Sequence, residues 1–371
     1  ENQGVGTGIR ISEFHLDAGD GNNRVAVVAA NGDASTGFSI FPYTFTILSG
    51  VGNDSVSLVA ENQGDSTGFA FSDVMIDVGA GSNRVIVAAA NSGPGTGMRL
   101  RNLGVTGAEG TDRFTVEARN RGEFSTGIFA DDIDLQTGAG ANRTRVATSN
   151  LGVASRGFFM DDLNMVGGGV ETISLLAQNR GSSDGFFTKD VNVTTADGND
   201  VITIEARTRG DENRGFVMDA INVHSGGGAD RVTLRAQNAG RDNTGIRSDR
   251  IVVFTGDGDD RLTMQAQPRS AESSGIVCIN AGVEFDTGGG RDRITIAGSS
   301  RWETTSGIAA SPFTINAGAG DDVVSISSRH ASGIFTLAGM LTIDGGGGAG
   351  DRLTNRDLAD AIVLNFETVV N

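Results

Sequence analysis

Cysteine, proline and two of the three aromatic residues are nearly missing from this chain of 371 residues, which has one Cys, four Pro, one Trp and one Tyr. A single cysteine excludes an intrachain disulfide, a thiolate metal cluster and a C-x-x-C motif. Cys278 lies in Ser-Gly-Ile-Val-Cys-Ile and reads as a buried small hydrophobe. Four prolines beside 56 glycines exclude collagen and a proline-rich linker. No segment has the length and apolarity of a transmembrane helix or the layout of a signal peptide. Positive charge is also scarce, with 29 Lys and Arg against 46 Asp and Glu, a net charge of -17. A nucleic-acid backbone and direct membrane insertion are therefore excluded as expectations, and divalent cations are favoured partners. There is no initiator Met, and Glu1-Asn2-Gln3-Gly4 recurs as Glu61-Asn62-Gln63-Gly64, so the chain is expected to begin mid-repeat with further coils upstream.

Hydrophobic residues make up 38% of the chain, enough to build a core and to set aside general disorder. They are arranged in a tandem repeat. The Asn83 position of Gly79-Ala80-Gly81-Ser82-Asn83-Arg84 recurs at Asn23, Asp54, Asp112, Asn142, Glu171, Asp200, Asp230, Asp260, Asp292, Asp322 and Asp351, in steps of 29 to 32 residues. Eight residues further on runs a column of Asn31, Asn62, Asn91, Asn120, Asn150, Asn179 and Asn238, giving way to Thr208, Pro268, Ser300 and His330. Two residues before it stand Ala29, Ala60, Ala89, Ala118, Thr148, Ala177, Ala206, Ala236 and Ala266.

Between the glycine loop and the Asn column the pattern alternates: Phe114, Val116 and Ala118 on one side, Arg113, Thr115, Glu117 and Arg119 on the other. That is a half-buried strand. A glycine followed by a large apolar residue comes next (Ile9, Phe38, Phe69, Met98, Ile128, Phe158, Phe186, Phe216, Ile246, Ile276, Ile308 and Ile334), and then a second alternating run such as Val74/Ile76 or Ile221/Val223. No unit has a helix-length amphipathic segment, which excludes helical repeats. A β-propeller stops at about eight blades, each normally longer than this repeat.

The predicted fold is an all-β parallel β-helix (β-solenoid) of about 12 coils over residues 1–353, each of roughly thirty residues with three short strands. Residues 354–371 are expected to form a terminal strand or partial cap. At about 4.8 Å per coil this predicts a rod on the order of 55 Å long, with an Asn ladder inside and close walls at the Ala column.

The corner loops hold the only candidate chemistry. Gly256-Asp257-Gly258-Asp259-Asp260-Arg261-Leu262, Gly318-Ala319-Gly320-Asp321-Asp322-Val323-Val324 and Gly347-Gly348-Ala349-Gly350-Asp351-Arg352-Leu353 resemble the calcium-binding nonapeptide of repeats-in-toxin proteins. The resemblance covers only the loops, about a quarter of the chain by extent. It implies Ca2+ held between coils by Asp197, Asp200, Asp230, Asp257, Asp259, Asp260, Asp292, Asp321, Asp322 and Asp351, since calcium takes hard oxygen ligands. The motif here recurs once per coil and not every nine residues. Asn23, Asn83 and Asn142 replace the acid, and Arg24, Arg84, Arg113, Arg143, Arg231, Arg261, Arg293 and Arg352 follow it. Those arginines offer a second reading, in which they neutralise the acids directly. A third is that Gly-x-Gly-x-Asp is a tight turn and nothing more.

Catalytic motifs are absent: no Gly-x-Ser-x-Gly, His-Glu-x-x-His or phosphate loop occurs. His15, His224 and His330 fall in different repeat phases, and Asp131-Asp132 and Asp161-Asp162 recur as repeat features. The chain also resembles the stalks of large repetitive bacterial surface adhesins. That resemblance implies an extracellular or cell-surface structural or adhesive rod that meets a glycan or protein, or self-associates. The alternative is a polysaccharide-binding or polysaccharide-degrading β-helix, with Trp302 in the stretched Arg301-Trp302-Glu303 unit as a sugar platform.

Overall fold

A computed structural model describes residues 7–32, 36–270, 272–298, 306–328, 341–355 and 361–370. Within them every regular element is a strand. Strand Arg113–Asn120 buries Phe114, Val116, Ala118 and Asn120 and exposes or half-exposes the residues between, as its alternation requires. It pairs in parallel with Arg84–Asn91 on one side and Ala141–Asn150 on the other, without a register shift across all eight residues. Arg84, Arg113 and Arg143 therefore stack, as do Asn91, Asn120 and Asn150. This is the parallel β-solenoid predicted from the repeat.

The chain divides into two compact units, Glu1–Lys189 and Asp190–Asn371. In the first, one wall is the stack Arg24–Asn31, Ser55–Asn62, Arg84–Asn91, Arg113–Asn120, Ala141–Asn150 and Val170–Asn179. In the second, the same wall runs from Val201–Arg209 through Arg231–Ala239, Arg261–Pro268, Arg293–Gly298 and Val323–Ser328 to Arg352–Asn355. The second and third segments of the described coils share the opposite wall. They are separate in Thr96–Arg99 and Asn102–Thr106 but fuse into single strands in Thr67–Asp77, Arg214–His224 and Thr244–Phe254. The three short strands expected per coil are thus arranged as two walls, with a bend in the second.

The core lies between the walls. Phe69, Phe158, Phe186 and Phe216 are fully buried, and Phe158 stacks on Phe186 at 4.8 Å between centroids, the coil spacing. The Ala column faces the glycines of the opposite wall. A Cβ built on Gly215, Gly245 or Gly275 would stand 2.4 Å from the Cβ of Ala206, Ala236 or Ala266. The walls touch there, so both partners must be small, as the Ala column predicts. The Asn column is buried, and its amides ladder as expected from Asn31 to Asn62 (3.0 Å) and from Asn62 to Asn91 (3.1 Å). In later coils the amide turns to corner carbonyls, as Asn120 does to Ser125 (3.1 Å) and Arg156 (2.8 Å).

Cys278 is buried as expected, donating to the Gly282 carbonyl at 2.9 Å, and burial pushes its thiol up to about 11. Ser300, Trp302, His330 and Ile334 lie outside the described residues. Near the end of the second unit, Ala361–Leu364 and Thr368–Val370 continue the parallel pairing onto Leu341–Asp344 and Arg352–Asn355.

Candidate functional site

The glycine corner is shaped by backbone on backbone. Gly228, Gly258, Gly290 and Gly320 have φ between +126° and +150°, a region that L side chains rarely enter. Each also rests on the coil before it: a Cβ on Gly258 would lie 1.8 Å from the Gly228 oxygen. Two independent constraints thus require glycine at this one position. The corner then delivers the chain into the first wall, and strand alternation sorts the residues that follow.

That sorting divides the ten candidate acids. Asp200, Asp230, Asp260, Asp292, Asp322 and Asp351 point into the solenoid and are at most 2% exposed. Asp197, Asp257, Asp259 and Asp321 lie on the outer side of the same loops and are exposed. Arg231, Arg261, Arg293 and Arg352, one residue beyond the inner acids, also face outward. Among the described residues none of these arginines pairs with a corner acid, so the expectation that they neutralise the stack is corrected. Successive residues of a strand face opposite sides, and an Asp-Arg neighbour pair cannot meet across the wall.

Backbone N–H groups reach acids of both sets. On the inner side each acid accepts from the coil before it: the N–H groups of Asp200, Asp230, Asp260, Asp292 and Asp322 donate to Oδ1 of Asp230, Asp260, Asp292, Asp322 and Asp351, all at 2.8 Å. On the outer side the direction reverses, and Arg291 N–H donates to Asp259 Oδ1 (2.9 Å) and Gly227 N–H to Asp197 Oδ1 (3.2 Å). The inner ladder ends on Glu367, whose Oε2 accepts the Asp351 N–H at 2.7 Å. Sequence reasoning missed Glu367, because it stands 16 residues after Asp351, outside the repeat period.

The first unit uses the same bond with a different residue. Asp54 N–H donates to Asn83 Oδ1 and Asp112 N–H to Asn142 Oδ1, both at 2.9 Å. The amide nitrogens of Asn23, Asn83 and Asn142 donate back to the Gly19, Gly79 and Gly138 carbonyls, four residues upstream. Acids there alternate with amides, whereas in the second unit the acids are consecutive. Oδ2 of Asp230, Asp260, Asp292, Asp322 and Asp351 is buried and has no hydrogen-bond partner among the described residues.

The titration of these groups follows. Burial pushes Asp230 up to about 7. The Asp200 N–H and the Ser225 hydroxyl pull it back, and the charges of Asp200 and Asp260 push it further. Burial likewise carries Asp292 to about 7 and Asp322 to about 6, and raises Asp260 and Asp351. The Ser225, Thr255 and Thr287 hydroxyls lower the acids of their coils, but each has one proton and gives it to a carbonyl one coil on. A proton on Oδ2 would do what the amide NH2 does in the first unit. Below about pH 6 to 7, Asp230, Asp292 and Asp322 are neutral acceptors that also hold a hydrogen.

Calcium needs about six to eight oxygens around one point. Among the described residues no three His, Cys, Asp or Glu side chains form such a group. The inner and outer acids of each corner are separated by their own backbone. Of the other acids, Asp132 and Asp162 stack beside Asp131, Asp134 and Asp161, and burial followed by these neighbours raises Asp132. His15 and His224 are exposed, the latter stacked on Phe254 at 5.1 Å.

Fold and corner together define a parallel β-solenoid with an internal carboxyl–amide ladder. Compared with protein-family models, curated proteins and solved structures, the chain matches none.

Proposed function

We propose that the chain is a structural or adhesive scaffold, a solenoid segment of a bacterial surface or secreted protein. The observation that carries this reading is the register of the first wall, which passes from coil to coil without a shift within each unit. At the corner, one oxygen of each inner acid from Asp230 to Asp351 is engaged by a backbone N–H of the preceding coil, which ties one coil to the next. A scaffold needs stiffness repeated at every step, and a solenoid supplies it because each coil rests only on its neighbours.

The test is to excise whole coils in phase. Removing residues 231–260 joins Asp230 to Arg261, and removing 261–292 joins Asp260 to Arg293. Both shortened proteins are expected to fold cooperatively and to support attachment of the producing cells alike. Loss of attachment from one excision and not the other, with both proteins folded, would show a site confined to one coil and overturn the scaffold reading.

Calcium belongs to a second version of the same reading, favoured by the row of buried, unpartnered Oδ2 atoms. A cation entering the corner would meet those oxygens and the glycine carbonyls. In that version calcium raises the melting temperature and a chelator lowers it. An unchanged melting curve across both conditions removes calcium from the account.

A further inference from the structure

The outer face of the second wall in the first unit breaks the repeat at one place. The strand register stacks Ala70, Arg99, Phe129, Phe159 and Phe187 in one outward column. Two residues beyond each stand Ser72, Arg101, Asp131, Asp161 and Lys189 in a second. Between the columns, at the bend of the wall, is a cleft of about 360 Å³ lined by Phe71, Ser72, Arg99, Leu100, Arg101, Phe129 and Asp131. In this stretch only the Arg99 coil has a guanidinium in both columns. A repeat built for stacking alone has no reason for that exception, whereas a binding site must break the period.

The cleft is chemically two-sided. Its accessible apolar surface is Phe129, while Phe71 and Leu100 lie beneath it in the core, each 2% exposed. Phe129 stacks on Phe159 at 5.2 Å with 13° between the planes, so its ring edge and not its face is free toward the cleft. Arg99 lies over the Phe129 ring, 5.5 Å from its centroid, which holds the guanidinium in place. Among the described residues Arg99 has no ion pair, and Arg101 reaches Asp131 only at 3.8 Å. Arg99 and Arg101 thus bring two lightly engaged guanidiniums to one concavity. A planar guanidinium fork suits a carboxylate. Asp131, Asp132, Asp134, Asp161 and Asp162 beside the cleft would repel a ligand with a second negative charge.

We propose that this cleft binds a small organic monoanion, its carboxylate held by Arg99 and Arg101 and its apolar body set against the edge of Phe129. Recognition is by charge and shape together. Acetate has the charge without the body, and a neutral amide has the body without the charge.

Calorimetric titration of the whole chain with phenylacetate tests this, with acetate and phenylacetamide as comparisons. Saturable one-site binding of phenylacetate is expected, at least tenfold tighter than of either comparison. Arg99→Gln and Arg101→Gln should each weaken it about tenfold, as loss of one charge-assisted contact implies. Asp131→Asn, which frees Arg101, should tighten it several-fold. Both arginines are exposed, so the variants should keep the parent's circular dichroism and melting temperature. The proposal is overturned if phenylacetate does not saturate, if phenylacetamide binds equally, or if binding survives Arg99→Gln/Arg101→Gln with the fold intact.

Discussion

One backbone bond at the corner is made by Asn in some coils and by Asp in others, and this interchange explains the chemistry of the position. What the fold requires there is an acceptor for the N–H of the preceding coil, and a neutral amide meets that need in the first unit. Aspartate meets it too, at the cost of a second oxygen with no donor. The neighbouring glycines are less negotiable. Gly258→Ala would force φ +150° on a residue with a Cβ and drive that Cβ to 1.8 Å from a carbonyl oxygen, so a loss of at least about 2 kcal/mol is expected in chemical unfolding. Gly347 is the control: nothing lies within 4 Å of its added Cβ, Ala319 occupies its place one coil earlier, and Gly347→Ala should shift stability by less than about 0.5 kcal/mol.

At the scale of the strand, period-two alternation decides nearly everything. It buries Val232, Leu234 and Ala236 of Arg231–Ala239 and turns Arg231 to solvent. Ala236 meets Gly245 of the opposite wall, and Gly245→Ala would place two Cβ atoms 2.4 Å apart, an overpacking expected to cost about 1–3 kcal/mol in denaturant unfolding. Much of this was legible in the sequence. The Asn-83 column, the Ala column and the alternation give coil, register and close wall contact without coordinates. Alternation also held the answer for the corner arginines, since an inward Asp260 forces an outward Arg261. The two-walled shape of the coil was not legible, because a bend within one sheet and a turn between two sheets leave the same Gly-and-Asp mark. The cleft was hidden for another reason: Arg99, Arg101 and Phe129 are outward residues, and outward positions vary from coil to coil until the register aligns them. Glu367 lies outside the period altogether.

For the molecule as a whole, a consecutive ladder of inner acids couples stability to pH. Folding raises Asp230 and Asp292 from 3.8 to about 7, so the folded chain holds these protons more tightly than the unfolded chain. Stability from this source is therefore fully present below about pH 4 and is lost as pH climbs through 7. With a chelator present, the melting temperature is expected to fall from pH 5 to pH 8. A rise over that range would mean that the inner acids are favoured in their charged form.

Replacing the acid with the residue that the first unit already uses tests this most directly. The measurement is the melting temperature of Asp230→Asn/Asp292→Asn against the parent chain, at pH 5 and pH 8 in chelator. The account predicts near-equality at pH 5 and a higher melting temperature for the variant at pH 8, because the amide keeps the backbone bond and cannot ionise. A variant that melts below the parent at pH 8 would contradict it, since the carboxylates would then be stabilising the fold as anions.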